Sequence, residues 1–354
     1  MGSLSDSTGI ETIDISSYLK SNNCQERKSV ADELVNAIHK QGACGLVGHG
    51  LGIPALRKVL ALSKSFFDLP LEEKKKVDHP NGIVPHRGYS SMGRESTLIY
   101  TKEELEKFSG ELDANSKKPL DWKEHYDIGS DLNTVHSNRW ISEETLPEFR
   151  ATMNETLLLL EQLSMEMVNA LLLGLEVEPV AADYFRGLHT GHDSGFRLLH
   201  YPSVPKSTID RVALTWCPTH TDFTTFTFLI QDENQGLEIE DRTNPGTFIQ
   251  ASTEIEDRIW FTMGDFGELW TNGFLPASKH RVIIPPPRDG SEMTASRYSI
   301  PYFLNPRHDG ILEPQSTGKP GTLPQGRFKT RSVKEHIEFR MKYQFKGKKN
   351  EEVQ

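Results

Sequence analysis

Between residues 197 and 303 the chain reads as a series of short β-prone runs, at 197–201, 213–216, 224–230, 237–240, 258–262, 281–284 and 298–303. Turn clusters separate them, among them Asp232-Glu233-Asn234-Gln235-Gly236 and Arg242-Thr243-Asn244-Pro245-Gly246. These are the residue types that short antiparallel connections need. So many short strands in succession bury their apolar faces only by packing sheet on sheet. That restricts this half of the chain to a sandwich or jelly roll.

The preceding half has a different period. Ile13, Ile15 and Tyr18 suggest a first strand, and Val30, Leu34 and Ile38 mark one face of a helix over 26–41 that Gly42 stops. A strand at 43–47, a turn at 48–50 and a helix over 54–68, closed by Pro70, follow. Residues 76–140 read mostly as loop, with a short helical piece at 101–108. A long helix spans 146–175, with Gly174 near its end as a stop signal, and a last helix spans 332–343. The expected fold is mainly β with N-terminal helices (α+β), packed as one unit. Its expected parts are a flexible leader at 1–10, an N-terminal helical region at 11–190, a jelly-roll catalytic region at 191–310, and a lid loop and helix at 311–354.

Composition excludes several functional classes. Hydrophobic residues at 36% and charged residues at 25% are an ordinary globular balance. A net charge of −10 repels a phosphate backbone, so no nucleic-acid partner is expected. The longest apolar stretch, 156–175, is interrupted by Glu161, Gln162, Glu166 and Asn169 and reads as a core helix, so no membrane partner is expected either. Three cysteines, Cys24, Cys44 and Cys217, fit neither a metal clip nor a disulfide framework, and the polar first ten residues are not a signal peptide. The expectation is a cytoplasmic protein with reduced thiols, monomeric by default.

The chemistry concentrates in His220-Thr221-Asp222. In a strand, residues i and i+2 share a face roughly 6.5–7 Å apart, so His220 and Asp222 can aim at one metal ion. Two histidines and one carboxylate on one face of an octahedron form the site of non-haem iron(II) oxygenases. A second copy, His125-Tyr126-Asp127, lies in a polar segment with no strand after it. A third ligand must come from a later returning strand. His280, which precedes Arg281-Val282-Ile283-Ile284, fits better than His308 in its Pro/Arg/Asp/Gly loop. Arg297 and Ser299 form another i, i+2 pair, suited to gripping a carboxylate. Tyr201 is a further donor, or an ordinary strand tyrosine.

With these residues in place, the chain resembles the plant- and fungal-type 2-oxoglutarate/iron(II) oxygenases related to isopenicillin N synthase. The likeness runs from about Ile13 to Tyr343. Gly48-His49-Gly50, Phe66-Phe67-Asp68-Leu69-Pro70, Arg87-Gly88-Tyr89 and Asp127-Ile128-Gly129 carry it in the first half. His220-Thr221-Asp222, Gln231-Asp232, Gly264-Asp265, Thr271-Asn272-Gly273, Lys279-His280-Arg281-Val282 and Arg297-Tyr298-Ser299 carry it in the second. The resemblance implies a distorted double-stranded β-helix wrapped by helices. It implies iron held by His220, Asp222 and His280, and 2-oxoglutarate held by Arg297, Ser299 and Tyr201. O2 is implied as oxidant and ascorbate as reductant. Thr224 departs from the family, standing where a glycine commonly follows the HxD motif.

The expected reaction oxidises a small organic molecule by hydroxylation, desaturation, epoxidation or ring rearrangement. Secondary-metabolite biosynthesis in a fungus is the expected setting. Phe196, Phe223, Phe228, Phe274 and Phe303 are candidates for an apolar pocket wall, with plain core as their alternative role. Two other readings stand beside this one. In the first, an isopenicillin N synthase-type iron oxidase works without 2-oxoglutarate. In the second, a non-catalytic protein binds small molecules on the same scaffold.

Overall fold

The computed structural model describes residues 4–5, 9–80, 87–92, 122–209, 215–287, 290–315 and 328–344. Its strands, in chain order, are β1 (Leu4–Ser5), β2 (Glu11–Asp14), β3 (Ala43–Val47), β4 (Gly88–Ser90), β5 (Glu124–Gly129), β6 (Gly195–Tyr201), β7 (Cys217–His220), β8 (Phe226–Gln231), β9 (Leu237–Glu240), β10 (Phe248–Gln250), β11 (Ile259–Met263), β12 (His280–Val282), β13 (Arg297–Leu304), β14 (Ile311–Leu312) and β15 (Arg331–Ser332). The helices are α1 (Ser16–Lys20), α2 (Cys24–Gln41), α3 (Ile53–Phe67), α4 (Leu71–Lys75), α5 (Phe149–Leu175), α6 (Pro179–Gly187), α7 (Lys206–Ile209), α8 (Asp265–Trp270) and α9 (Val333–Gln344).

Among the described residues, nine strands form one large sheet in the order β1-β2-β3-β11-β8-β13-β6-β5-β4, and four form a smaller one, β10-β9-β12-β7. Side chains alternate across each strand, and the two faces of the large sheet enter two different cores. Phe196 and Leu198 of β6, Phe226 and Phe228 of β8, and Ile300 and Tyr302 of β13 join the helix-side core with α2, α3 and α5. Leu199, Tyr201 and Leu229 turn the other way and pack with Trp216, Leu237, Ile239 and Val282. That second core lies between the sheets, as in a distorted double-stranded β-helix.

Residues 11–190 contribute four strands, β2 to β5, to the large sheet. A division at residue 190 therefore cuts through one sheet rather than between two bodies. The first strand ends at Asp14, and Tyr18 lies in α1 rather than in a strand, because the Asp14 carboxylate accepts from the Ser16 N–H at 2.8 Å and turns the chain into helix. α2 is capped by the Asn23 side chain, which accepts from the Gln25 N–H at 2.9 Å, and it ends at Gly42 with φ +76°.

Gly174 does not end α5, which closes at Glu176 in the left-handed region. A Cβ at Gly174 would lie 2.4 Å from the Ala31 carbonyl of α2, so the glycine permits the α2–α5 approach. α5 is long and apolar enough to cross a membrane by length and composition. Here its apolar stripe, including Phe149, Met153, Leu160 and Met167, is buried in the helix-side core.

The stretch 76–140, expected as loop, holds β4 and β5. The expected helix at 101–108 and residues 316–327 of the expected lid loop lie outside the described residues, as does the start of the run at 213–216. β10, α6 and α8 also lack counterparts in the sequence reading.

Helix α6 is tied to the sheet by His189. Its Nδ1 donates to the Phe185 carbonyl at 2.8 Å, and its Nε2 pairs with the Thr225 hydroxyl at 2.8 Å, just before β8. Burial pushes its pKa from the ordinary 6.5 down to about 4, so the native state holds it neutral. The unfolded chain takes up a proton near 6.5 while the folded one resists until about 4. This contribution is therefore complete above that upper value and is lost as pH falls through the window. The stability advantage of the wild type over His189→Gln, from urea denaturation, should shrink by about 3 kcal/mol between neutral pH and pH of about 4.

Candidate metal and co-substrate site

The smaller sheet places the three expected ligands together. β12 runs antiparallel to β7 with His280 directly opposite His220. Asp222 follows two residues after His220, and its own carbonyl accepts from the Asp265 N–H at 2.9 Å, which fixes the turn leaving β7. Asp222 Oδ1 lies 3.6 Å from His220 Nε2 and 3.8 Å from His280 Nε2. Among the described residues this is the one group of three whose ligand atoms lie within 4.8 Å of one another.

The protonation pattern suits a metal. His220 Nδ1 donates to the Pro218 carbonyl at 2.8 Å, and His280 Nδ1 donates to the Ser278 carbonyl at 3.2 Å. Each histidine thus places its proton on Nδ1 and leaves the Nε2 lone pair facing Asp222. Burial, with His220 alongside, pushes the His280 pKa down and keeps the ring neutral. The second carboxylate oxygen, Asp222 Oδ2, accepts from the Thr227 hydroxyl at 2.7 Å, and Thr227 is 3.2 Å from the Thr224 hydroxyl. Only Oδ1 is left for the shared centre. Thr227 was not singled out from the sequence, although its odd-numbered strand position already put it on the inner face of β8.

The competitors separate clearly. His125 and Asp127 do lie in a strand, β5, within the stretch 76–140 that was expected mostly as loop. Their carboxylate is engaged by Arg197 at 2.8 Å and by His125 at 3.3 Å, with no third ligand among the described residues. His308 is an exposed loop residue whose N–H bonds Asp193 at 3.2 Å.

Arg297 is wholly buried. Its Nη1 donates to Ser299 Oγ at 2.9 Å and its Nη2 to Gln231 Oε1 at 2.9 Å, while Nε has no partner. The guanidinium lies 5.2 Å from the centre of the Tyr201 ring. Tyr201 is buried, and burial raises its phenol pKa. Asp232, whose carboxylate feels the Arg297 charge, is occupied by the N–H groups of Tyr298 at 2.8 Å and Asn234 at 3.0 Å. A buried cation with an idle N–H and no ion pair among the described residues is costly, and a bound anion removes that cost. On β8, Thr227 at the triad and Gln231 at Arg297 are four residues apart, about 13 Å along the strand. A short dicarboxylate fits that interval.

The five phenylalanines divide. Phe196 and Phe228 face the helix-side core, and Phe274 stacks on His39 at 4.2 Å, so these three are packing residues and not a pocket wall. Alternation decides this, since their neighbours Arg197 and Thr227 take the inner face. Phe223 and Phe303 are half-buried, and Phe303 shares its face with Arg297 and Ser299.

Removing the Thr227 hydroxyl should loosen the carboxylate. Thr227→Val is expected to weaken Fe(II) affinity about 10- to 100-fold, and Thr227→Ser to restore most of it, in anaerobic titrations. Equal affinities in all three proteins would show that the hydroxyl does not orient Asp222.

Comparison with known proteins agrees with this geometry. Residues 192–306 match the family described as the 2OG-Fe(II) oxygenase superfamily, and residues 10–146 match the N-terminal region described from non-haem dioxygenase in morphine synthesis. A 2-oxoglutarate-dependent dioxygenase of Aspergillus rugulosus is 34% identical over 301 residues, covering 84% of this chain and 88% of its own. A proline hydroxylase of Petromyces alliaceus is 31% identical, covering 85% and 88%. Among solved structures, a full-length Neurospora crassa protein in complex with alpha-KG superposes with a TM-score of 0.79 at 26% identity, covering 96% of this chain and 98% of that one. The chain belongs to the 2OG-Fe(II) oxygenase superfamily and is a 2-oxoglutarate-dependent dioxygenase, with Fe(II) as its metal and 2-oxoglutarate and O2 as co-substrates.

Proposed function

We propose that His220, Asp222 and His280 hold Fe(II), that Arg297, Ser299 and Tyr201 receive the distal carboxylate of 2-oxoglutarate, and that the enzyme oxidises a small organic molecule of fungal secondary metabolism. The observation that carries this reading is Arg297: a fully buried guanidinium, on the same large sheet as Thr227, with an unpartnered Nε. When bound, the iron couples O2 reduction and the decarboxylation of 2-oxoglutarate to succinate with oxidation of the substrate. The protein's own tasks are positional. The Pro218 and Ser278 carbonyls hold the two imidazoles in the metal-binding tautomer. Ser299 and Gln231 aim the guanidinium, and the closely packed Trp216, Leu237 and Val282 exclude water from this side.

Kinship with fungal dioxygenases at 31–34% identity supports the metabolic setting. The C-terminal helix α9 docks on α8, where His336 Nε2 is 3.4 Å from Asp265 Oδ2 and its ring lies tilted against Phe266, centres 4.9 Å apart. Because the Asp265 N–H holds Asp222, this helix is placed to close over the metal side as a lid.

The test is anaerobic titration of the apo-protein with Fe(II), then 2-oxoglutarate, followed by visible absorption and by succinate formation in air. A charge-transfer band is expected only with both present. Arg297→Ala should bind iron normally but need at least about 10-fold more 2-oxoglutarate to show the band. Iron binding without any band would instead favour an oxidase that draws all its electrons from the substrate. Absence of iron binding would overturn the triad.

A further inference from the structure

Three threonines follow the Asp222 turn, Thr224, Thr225 and Thr227, and all three are buried. The Thr225 hydroxyl pairs with His189 Nε2 at 2.8 Å. The other two form a chain that ends on the metal group. Thr224 Oγ1 lies 3.2 Å from Thr227 Oγ1, and Thr227 Oγ1 lies 2.7 Å from Asp222 Oδ2. The direction of this chain follows from counting protons. A carboxylate that ligates a metal offers only acceptors, so the single Thr227 proton is spent on Asp222. Thr227 then meets Thr224 with a lone pair, and the Thr224 hydroxyl is the donor. Among the described residues Thr227 is the one hydrogen-bond partner of that hydroxyl.

The start of the chain is fixed by backbone. Gly264, Asp265 and Phe266 donate their N–H groups to the carbonyls of Thr225, Asp222 and Thr224 at 3.1, 2.9 and 3.0 Å. The turn 222–225 is thereby laced to the start of α8. Gly264 lies so close that a Cβ there would collide with both the carbonyl and the hydroxyl of Thr224. Glycine at 264 is what leaves room for a side chain at 224.

We propose that Thr224 is a positioning residue for the metal ligand Asp222, acting through Thr227. The inference rests on the metal site proposed above. A hydroxyl proton turns about its C–O bond, and Thr227 has two acceptors within reach, Asp222 Oδ2 and the Thr224 oxygen. A donor at 224 occupies the second and leaves the Thr227 proton one direction, toward the carboxylate. Each bond in such a chain also polarises the next, which strengthens the contact to Oδ2. Oδ2 is thus held toward the large sheet and Oδ1 toward the two histidines. A glycine at 224, the residue the family commonly carries there, supplies no such donor. The departure at Thr224 therefore belongs to the metal site.

The test is a double-mutant cycle on Fe(II) affinity, measured by anaerobic titration of the full-length apo-protein. Valine keeps the outline of threonine and removes the hydroxyl. Thr224→Val is expected to weaken binding about 3- to 10-fold, the worth of one hydrogen bond. In the Thr227→Val background the same substitution should change affinity by less than about 2-fold, since no hydroxyl remains to pass the effect on. Thr224→Ser should return to within about 2-fold of the wild type. Equal weakening in both backgrounds is the mark of packing alone and would overturn the proposal. So would wild-type affinity in Thr224→Val, or a serine variant as weak as the valine. Thermal melting of each apo-protein reports folding, and if Thr224→Val does not fold, Thr224→Ala takes its place in the same cycle. A wild-type protein that binds no Fe(II) would overturn the triad itself.

Discussion

The whole site depends on one antiparallel pairing, His220 of β7 opposite His280 of β12. Two side chains on directly opposed strand residues lie on one face within about 5 Å of each other. Their rings sit 4.3 Å apart, centre to centre. A slip of one residue would turn His280 to the other face and leave a single histidine with Asp222. The pairing is itself pinned. β12 is held on its far side by β9, through His280 opposite Ile239 and Val282 opposite Leu237, and both partners are buried. The apolar residues of β9 thus fix the register that the histidines need. Core packing and ligand geometry are here one constraint.

The large sheet does the complementary work, and its two faces have different duties. The helix-side face is largely apolar and anchors α2, α3 and α5. Where it is polar it is closed: Glu124 accepts from Lys74 at 2.8 Å, Tyr89 at 2.5 Å and His200 at 2.7 Å, all buried or nearly so. Burial alone would raise the Glu124 pKa, and these three donors together bring it below its ordinary value. That network fastens α4 to β5 and β6. The inner face, by contrast, holds polar groups at both ends, Arg297 at one and Arg197 at the other, with Leu199 and Leu229 among them.

Much of this was legible from residues alone, and the reasons differ by element. β9 could be read because its apolar alternation is clean and Gly236 precedes it, and β3 because Gly42 and Gly48 bracket a short apolar run. α2 was legible through its i, i+4 stripe and Gly42. The triad was legible because an HxD pair between two buried strands has few other uses, and Arg297-Tyr298-Ser299 because a charge inside a strand must face something. Gly174 misled because composition does not distinguish a helix stop from a close helix crossing. Phe196 and Phe228 misled for a related reason: aromatic residues near a site were assigned to it without counting parity. Arg197 and Thr227, their neighbours, are the residues that alternation turns inward.

The failure to see β5 has a physical meaning. Its sequence, Glu124-His125-Tyr126-Asp127-Ile128-Gly129, carries four titratable groups in six residues, which in isolation reads as loop. It is a buried strand because every charge on it meets a counterpart: Glu124 outward to Lys74, and Asp127 inward to Arg197. A strand of that kind is poorly suited to filling a core, since apolar residues of similar volume would serve stability as well or better. Its polarity instead ties neighbouring elements together, Asp127 to Arg197 of β6 and Glu124 to Lys74 of α4. The same sheet carries Thr227, which donates to Asp222, three strands away, so the Asp127–Arg197 pair and the candidate metal group are linked through a backbone hydrogen-bond ladder rather than through loops.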